Sequence, residues 1–592
     1  MFGKRDKTQT TKNEKLEPST VTDKESSHTE ANLSSGDGHI HPELSTKEGE
    51  QSGLQEDADK QYPSGGKLAL IMTAVCATVF LVALDRTIIA TAVPRITTDF
   101  HSLDHIIWYA SAYLITSCGT QLLWGRIFTF YSTKMVFLAA IVVFEVGSVI
   151  CGAAPTSVAF IIGRAIAGMG SAGIFSGSTV ILTHILPLQK RPMYVGLMGS
   201  MFGISSVVGP LMGGAFTDRA TWRWCFYINL PIGGVVLAVL ILFLHVSHEK
   251  IGDITMSRRI MQLDPFGTLV FLPGVICFLL ALQWGGNTYA WSDARIIVLF
   301  VVSGVLLVAF VGIQIWRQED ATIPPRIAKQ RSVAFGSVFS MCIGSGLVSV
   351  LYCLPIWFQA VKGTTAVQSG IDTIPMVLAL VVGAIISGAT ITRTGYYVPW
   401  MFVSAILMST GSGLMTTFKV DTGHSAWIGY QVLFGLGLGM GMQQPSLAAQ
   451  TVLAQKDVSI GIALMFFTQS LGGAVFSSVG QSVFVNHLGK ELPAVSGINI
   501  EEILAAGATG LSRVVPTDKL AEVLVVYNHA LRNAFIVAVT ISCLMVLPAS
   551  GMEWLTIKKD EVMKDDVEKE AIKKDDVEKE DVEKEDVSRP AA

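Results

Sequence analysis

Among the ionisable side chains inside long apolar runs of the sequence, three stand out: Asp85, Glu145 and Arg164. A charge in a nonpolar medium costs about 3 kcal/mol or more unless a partner or water compensates it. An acid that alternates between a wet and a dry site gains and loses a proton, and a nearby base favours its charged form. These residue types therefore predict proton binding by Asp85 and Glu145 with Arg164 as counter-ion. The alternative is a purely structural ion pair.

The spacing of other residues supports no further chemistry. Gly168, Gly170 and Gly173 spell G-x-G-x-x-G, but no strand precedes them and no Lys-Ser or Lys-Thr follows, which favours helix packing over nucleotide binding. We find no H-E-x-x-H zinc motif and no evident Ser/His/Asp cluster. A basic stripe of the kind that binds nucleic acid is also missing. We expect a protein that is not an enzyme, that uses no metal, cofactor or nucleic acid, and that draws its energy from an ion gradient.

The composition indicates which elements hold these residues. Half of the 592 residues are hydrophobic and only 15% are charged, and residues 1–62 and 557–592 hold 44 of the 90 charged residues. The chain between them is too apolar for a water-facing surface and must be surrounded by lipid. The two ends instead predict a disordered N-terminal tail and a charged, repetitive C-terminal tail.

Fourteen apolar segments of about 20 residues predict fourteen transmembrane helices. With the N-terminus inside, the cytoplasmic loops carry thirteen Lys and Arg residues and the short outer loops six, which follows the positive-inside rule. The long outer loop at about 486–530 is left out of that count. Both tails are then cytoplasmic. At 1.5 Å per residue, Asp85, Glu145 and Arg164 all lie roughly 10–14 Å below the outer boundary, so contact between them is possible.

Five local patterns match one protein family. They are LDRTIIATAVP at 84–94, GRIFTFYSTK at 125–134, GRAIAGMGSAGI at 163–174, the glycines and proline of the fifth segment, and WRWCFYINLPIGG at 222–234. Together they resemble the fourteen-span drug:proton antiporters of the major facilitator superfamily, and most of all fungal toxin and multidrug efflux pumps. The resemblance covers about residues 68–555.

This resemblance implies an all-α membrane protein with the major facilitator fold. An N-terminal six-helix lobe at 68–246 and a C-terminal six-helix lobe at 333–553 would rock about a central cavity, with two linker helices at 265–316 between them. Polar and aromatic residues of the C-terminal half are candidates for the cavity lining: Tyr352, Trp357, Gln359, Gln443, Gln444, Gln450 and Gln469.

Two family motifs carry over residue by residue. The antiporter motif, which the family ties to export, corresponds to Gly196, Gly209, Pro210, Gly213 and Gly214, with Ser205 where the family usually has Gly. The motif of the loop after the second helix keeps Gly125, Arg126 and Lys134. Its usual acid and following glycine are replaced by Thr129 and Ser132, which weakens the charged latch that this loop forms in the family.

The expected function is proton-coupled export of hydrophobic or amphipathic small molecules, either a secondary metabolite such as a mycotoxin or drugs, by alternating access. The alternative is a proton-coupled importer of a siderophore or nutrient on the same fold, against which the antiporter motif argues. We expect a monomer whose partners are its small-molecule substrate and the bilayer. The expected location is the plasma membrane, with the vacuolar membrane as the alternative.

Overall fold

The computed structural model describes residues 62–102, 105–246, 261–286, 288–495 and 514–558, together with Ile498, Ile503 and Leu511. Most of the two tails and much of the loop expected at 486–530 lie outside the described residues. Within these residues no β-strand forms, and fourteen helices of 15 residues or more follow one another. They are α1 Gly65–Phe100, α2 Ile106–Phe130, α3 Thr133–Ala153, α4 Ser157–Ile185, α5 Arg191–Arg219, α6 Asn229–Phe243, α7 Pro265–Trp284, α8 Ala294–Arg317, α9 Arg331–Ile356, α10 Ile374–Thr394, α11 Val398–Met415, α12 His424–Gly441, α13 Val458–Glu491 and α14 Leu520–Leu544.

Twelve of these helices are long and apolar enough to cross a membrane, as judged over the part of the chain that is described. The two others are α2, which carries Ser, Thr, Tyr and Gln side chains, and α12, which is rich in glycine. Several ends differ from the sequence-based boundaries. Helix α13 continues to Glu491 and α14 begins at Leu520, so both enter the loop expected at 486–530. The segment expected at 426–452 is divided, because Pro445 begins a new helix, Gln444–Val452.

The long helices pack into two bundles joined by a helical pair. Helices α1–α6, the N-terminal bundle, contact one another through the pairs α1–α5, α2–α4 and α3–α4. Helices α9–α14, the C-terminal bundle, do so through α9–α13, α10–α12 and α11–α12. Helices α7 and α8 pack on each other, and α7 also contacts α2 and α13. The two bundles meet where α5 crosses α10 and where α2 crosses α13.

Glycines allow many of these crossings. On α12, Gly435 and Gly439 lie against the backbone of α10, while Gly437 and Gly441 lie against α11. A step of two residues turns an α-helix by about 200°, so this alternation serves two neighbours on opposite sides. The glycines of the G-x-G-x-x-G pattern on α4 likewise face α2 and α3. Small residues here permit close approach of helix backbones, which stabilises helix pairs in lipid.

Contacts between helix ends define the two sides of the molecule. On the side where α1 begins and α14 ends, which we call the tail side, Tyr396 pairs with Thr556 and the Arg331 Nε donates to the Gly551 carbonyl at 2.8 Å. On the opposite side, called the far side, the Arg223 guanidinium donates to the carbonyls of Gly152 and Ala154. Consecutive helices thus run antiparallel through the described chain.

The bundles are sealed together on the tail side. On α4 every residue from 170 to 183 is buried except Phe175, and on α13 residues 457–465 are all buried. Beyond that point, residues 466–483 of α13 are at least partly exposed except at 467, 472, 473 and 480. Because α13 packs against α2, α7, α9 and α14, this exposure marks interior space between the bundles. The interior is therefore more open towards the far side.

Candidate functional site

The structure brings Asp85 and Arg164 together in the middle of the N-terminal bundle. The Arg164 Nη1 donates to Asp85 Oδ2 at 2.6 Å, and both side chains are at most 1% exposed. Arg164 Nε donates to the Tyr109 carbonyl at 3.0 Å, and the guanidinium lies 4.5 Å from the centre of the Tyr113 ring and 5.9 Å from that of Phe226. Arg164 thus has several partners besides Asp85.

Asp85 is only half satisfied by this pair. Its second oxygen, Oδ1, is buried and has no hydrogen-bond partner among the described residues. An unmade hydrogen bond of a buried charged group is costly, whereas a proton or a water molecule at Oδ1 would relieve that cost. The geometry therefore leaves one position on the carboxyl where a proton can bind while Arg164 keeps its contacts with Tyr109 and the aromatic rings.

Glu145 lies apart from this pair. Its carboxyl is buried on α3 directly against Gly233 of α6, and neither oxygen has a hydrogen-bond partner among the described residues. One turn further along α3, Ser148 accepts a hydrogen bond from Asn229 at 3.1 Å. Of the three residues expected at equal depth, Asp85 and Arg164 are thus in contact, whereas Glu145 faces α6.

The antiporter-motif residues form a tight seam between α5 and α1, the helix that carries Asp85. A Cβ atom at Gly209 or Gly213 would overlap the hydroxyl of Thr87 or Thr91. Thr87 Oγ1 donates to the Ser205 carbonyl at 3.0 Å, and Ser205 Oγ donates back to the Phe80 carbonyl at 3.1 Å. Serine at position 205 is therefore a bonding element of this seam.

The remaining motif residues have different surroundings. Gly196 lies against the Ala384 backbone of α10, so it belongs to the contact between the bundles, whereas Gly214 has no atom within 4 Å of a Cβ position. Pro210 lies inside α5, which remains one continuous helix from Arg191 to Arg219.

The loop motif after α2 contributes to the tail-side seal through Gly125 and Arg126. A Cβ at Gly125 would lie 2.6 Å from that of Ala463 on α13. The buried Arg126 guanidinium donates weakly to the Glu319 carbonyl at 3.4 and 3.5 Å and lies 4.9 Å from the Phe130 ring centre. Lys134 instead donates to the Ile241 carbonyl at 2.7 Å and so caps the end of α6 within its own bundle.

A charged contact between the halves is supplied by the segment after α8. Arg326 Nη1 donates to Asp457 Oδ2 at the start of α13 at 2.8 Å, and Nη2 to Glu319 Oε2 at 3.0 Å. Hydrogen bonds to Glu319 and Asp457 raise the pKa of the Arg326 guanidinium above its ordinary value. Since Glu319 also accepts from Arg126, this cluster, the tail-side latch, connects both bundles.

Asp264 anchors the linker helices beneath that latch. Its buried carboxylate caps α7 by accepting from the Gly267 N–H at 2.9 Å, and it also accepts from Gln314 Nε2 at 3.0 Å and from Thr322 Oγ1 at 2.8 Å. Burial by itself would raise the pKa of Asp264, but these hydrogen bonds outweigh it and hold the pKa below its ordinary value. Helix α7 is thereby tied to the end of α8.

The candidate cavity residues divide into three groups. Trp357 is fully buried in the C-terminal bundle, where its ring stacks on Phe418 with centroids 4.3 Å apart and its Nε1 donates to Asn528 at 2.9 Å. Its full burial among these partners keeps the Trp357 side chain away from the open interior in this structure. Gln444 and Gln450 are buried, and each donates to the carbonyl four residues earlier: Gln444 to Met440 at the end of α12, and Gln450 to Ser446 on its own short helix. The partly exposed members are Tyr352, Gln359, Gln443 and Gln469.

A narrow crevice lies between α5, α10 and α12 near the tail side. Gln443 and Gln444 line it together with Gly196 of the antiporter motif. It contains neither Asp85 nor Arg164, so it belongs to the seal between the bundles. The described residues include no group of three or more His, Cys, Asp or Glu side chains placed to hold a metal ion.

Arg86 was not among the site residues predicted from the sequence. This residue is partly exposed, and its guanidinium carbon lies 5.7 Å from the centre of the Phe202 ring on α5. Within the described chain it makes no ion pair or hydrogen bond. The signal that could have identified it is a basic residue in an apolar run, directly beside Asp85.

The family model of the Major Facilitator Superfamily matches residues 75–477, and the chain belongs to this family of transporters. It is 58% identical over 503 residues to the rubrofusarin-specific efflux pump aurT of Gibberella zeae, covering 85% of this chain and 92% of that protein. It is 52% identical to the efflux pump aflT of Aspergillus parasiticus, covering 84% of this chain and 97% of that protein. The efflux pump roqT of Penicillium rubens is 48% identical, covering 82% and 90%.

Solved structures agree on the fold. The human organic anion transporter MFSD10 superposes with a TM-score of 0.54 at 12% identity, covering 83% of this chain and all of that one. The proton:xylose symporter XylE superposes with a TM-score of 0.53 at 13% identity, covering 83% and 98%. At this identity the likeness concerns the fold alone.

Proposed function

We propose that this protein is a proton-coupled efflux transporter that exports a hydrophobic or amphipathic small molecule, a secondary metabolite or toxin, by alternating access. The observation that carries the proposal is the similarity, over more than 80% of the chain, to several fungal proteins that are named efflux pumps. The same similarity favours export over the import of a siderophore or nutrient.

All fourteen long helices cross the membrane in this proposal, and both tails are cytoplasmic. Helices α2 and α12 are then spans whose lower apolarity suits positions facing neighbouring helices. The tail side is the cytoplasmic side, in agreement with the excess of Lys and Arg in its loops. The N-terminal and C-terminal bundles are the two rocking lobes, with α7 and α8 as linker helices. The tail-side seal then makes this conformation one that faces outward.

Proton coupling in this scheme uses Asp85 and Arg164. A proton from the outside reaches the unpartnered Asp85 Oδ1, neutralises the carboxyl and removes its attraction to Arg164. Arg164 retains the Tyr109 carbonyl and two aromatic rings, so the pair can break without stranding the cation. Because α1 is joined to α5 through Gly209 and Gly213, a shift of α1 also moves α5, which contacts α10 of the other bundle.

Glu145 is proposed as a second proton-binding group with a lesser part in coupling. Both of its oxygens lack donors among the described residues, and a buried carboxylate without donors is costly unless protonated. Glu145 forms no hydrogen bond or ion pair with Arg164 among the described residues, so it is not part of the Asp85–Arg164 pair. No cofactor enters the scheme, since the proton gradient is the energy source.

Efflux is tested by the accumulation of a hydrophobic fluorescent dye in cells that express the protein. We expect less dye inside these cells than in cells with an empty vector, and recovery of the dye signal when a protonophore removes the gradient. Greater accumulation than in the vector control would support the importer instead. Fluorescence microscopy of the tagged protein should show it in the plasma membrane, and a signal at the vacuolar membrane would make the vacuole the destination of the cargo. The purified protein should be a monomer.

A further inference from the structure

Arg86 is a cation in the interior of the molecule and has no counter-ion among the described residues. Its neighbour Asp85 is engaged by Arg164, and no described carboxylate forms an ion pair with Arg86. Such a charge is costly in a membrane-spanning helix unless a partner or water compensates it. The partial exposure of Arg86 on a helix packed against α2, α4, α5 and α6 means that it faces interior space.

Three phenylalanines extend from Arg86 across the interface between the bundles. Phe202 of α5 lies under the Arg86 guanidinium, and its ring is 5.7 Å from that of Phe175 on α4, tilted by 32°. The Phe175 ring is 6.1 Å from that of Phe466 on α13, tilted by 36°. All three rings are partly exposed. We call Arg86, Phe175, Phe202 and Phe466 the central cluster.

The position of these rings identifies them as the floor of the interior space. Phe175 is the one partly exposed residue between 170 and 183 of α4, and Phe466 is the first partly exposed residue of α13 after the sealed stretch 457–465. Two helices from different bundles therefore open onto the same space at the same level. A ligand there would contact both bundles and would respond to their movement.

We propose that the central cluster is the cargo site and that it selects a planar aromatic acid, ionised at a carboxylate or phenolate. Aromatic rings of the floor bind a flat apolar ring by offset or edge-to-face stacking. The guanidinium supplies a charge-assisted hydrogen bond to an anionic oxygen. A cationic cargo would be repelled, and a neutral one would leave Arg86 unpaired. This inference rests on the proposed efflux function and names its substrate class.

The alternative for Arg86 is a structural role, for example as a second partner for Asp85 in another conformation. Such a role would affect stability or turnover, but it would not make the protein prefer an anionic ligand over a neutral one of the same shape. Charge preference of the ligand is therefore the readout that separates the two.

The probes are 2-naphthoate and 2-naphthamide, which share size and aromatic surface but differ in charge. Their affinities are measured by titration calorimetry on the full chain in lipid nanodiscs. Because a hydrogen bond to a charged group contributes about 1.5–3 kcal/mol, wild type should bind naphthoate about 10- to 100-fold more tightly than naphthamide. Arg86→Gln should bring that ratio close to one, while Arg86→Lys should retain part of it. Arg95→Gln, which changes an exposed arginine further along α1, is the matched control and should keep the wild-type ratio.

Equal binding of the two probes by wild type, or an unchanged ratio in a stable Arg86→Gln protein, would overturn the proposal. If Arg86→Gln does not fold, Phe466→Leu tests the site from the other bundle: it should weaken both probes by a similar factor, and unaltered affinities would count against the site. Protonophore-sensitive efflux of the fluorescent dye by wild type is measured separately. Its failure would contradict the proposed function, whereas a lost charge preference would contradict only the cargo site.

Discussion

At the scale of single residues, buried polar groups in this protein differ in how completely they are satisfied. Asp264 has donors around its carboxylate, Asp85 has one oxygen paired and one free, and Glu145 has no donor within the described chain. Full satisfaction stabilises a fixed arrangement, and partial satisfaction leaves a group able to change its protonation. We therefore assign Asp264 to the scaffold and Asp85 to the transport cycle.

Replacement of Asp264 by asparagine should lower the melting temperature at neutral pH, because an amide cannot accept all four hydrogen bonds that the carboxylate receives, from the Gly267 N–H, Gln314 Nε2, and the Thr322 N–H and hydroxyl. The folded-state pKa of Asp264 lies below its ordinary value of 3.8, so its stabilisation is present above that value and is lost as the pH falls through the lower folded pKa. The difference in melting temperature between wild type and Asp264→Asn should accordingly shrink below about pH 4. Asp293→Asn, at the partly exposed N-cap of α8, is the control. A pH-independent difference for Asp264→Asn would contradict this account.

At the scale of helices, the α1–α5 seam joins the ion pair to the movement of the bundles. The contact is made by Gly209 and Gly213, and no larger side chain fits against Thr87 and Thr91. The tail-side latch of Glu319, Arg326 and Asp457 is a second contact that joins the bundles. Its Arg326 and Glu319 come from the segment after α8, whereas the loop motif after α2 lacks the usual acid of the family.

Gly209→Ala should impair the seam, because its added methyl group overlaps the Thr87 hydroxyl. Overpacking of this kind costs about 1–3 kcal/mol. We expect a lower melting temperature and slower export in proteoliposomes. Gly214→Ala lies five residues further on the same helix in open space and is the matched control. Equal behaviour of the two variants would show that the seam tolerates a side chain.

Arg326→Gln should loosen the tail-side seal, since it removes the contacts with both Glu319 and Asp457. Ser387 is buried and lines the crevice, and it is changed to cysteine in the Arg326→Gln protein. The rate at which a maleimide added on the tail side labels this cysteine is then measured. We expect faster labelling than in the Ser387→Cys protein with Arg326 intact. Arg326 and Lys329 lie in one short helix, Pro325–Lys329, so Lys329→Gln is the control. An unaltered rate in Arg326→Gln would exclude the latch from the seal.

At the scale of the whole molecule, the sequence indicated the family and the depth of residues along each helix. It did not indicate how each helix is rotated about its axis or which residues far apart in the chain are in contact. The rise per residue correctly indicated that Asp85 and Arg164 can meet, because helix length fixes depth. It could not tell that Glu145 turns towards Gly233, since that depends on which helix lies beside α3. Trp357 was expected to line a cavity, but it is buried and donates to Asn528, 171 residues away, a contact that sequence spacing does not reveal. Arg86 was missed although it lies in the same LDRTIIATAVP pattern as Asp85, because the sequence does not show which of two neighbouring charges is paired.

The most direct test of proton-coupled export is transport by Asp85→Asn in proteoliposomes. Wild type should concentrate a hydrophobic cargo against its gradient when a pH gradient is imposed. Asp85→Asn, which mimics the protonated acid, should lose this uphill transport but retain downhill exchange and a melting temperature close to that of wild type. Glu145→Gln, which lacks contact with Arg164, should keep most of the uphill transport. A stable Asp85→Asn protein that still concentrates its cargo in response to the pH gradient would contradict the account.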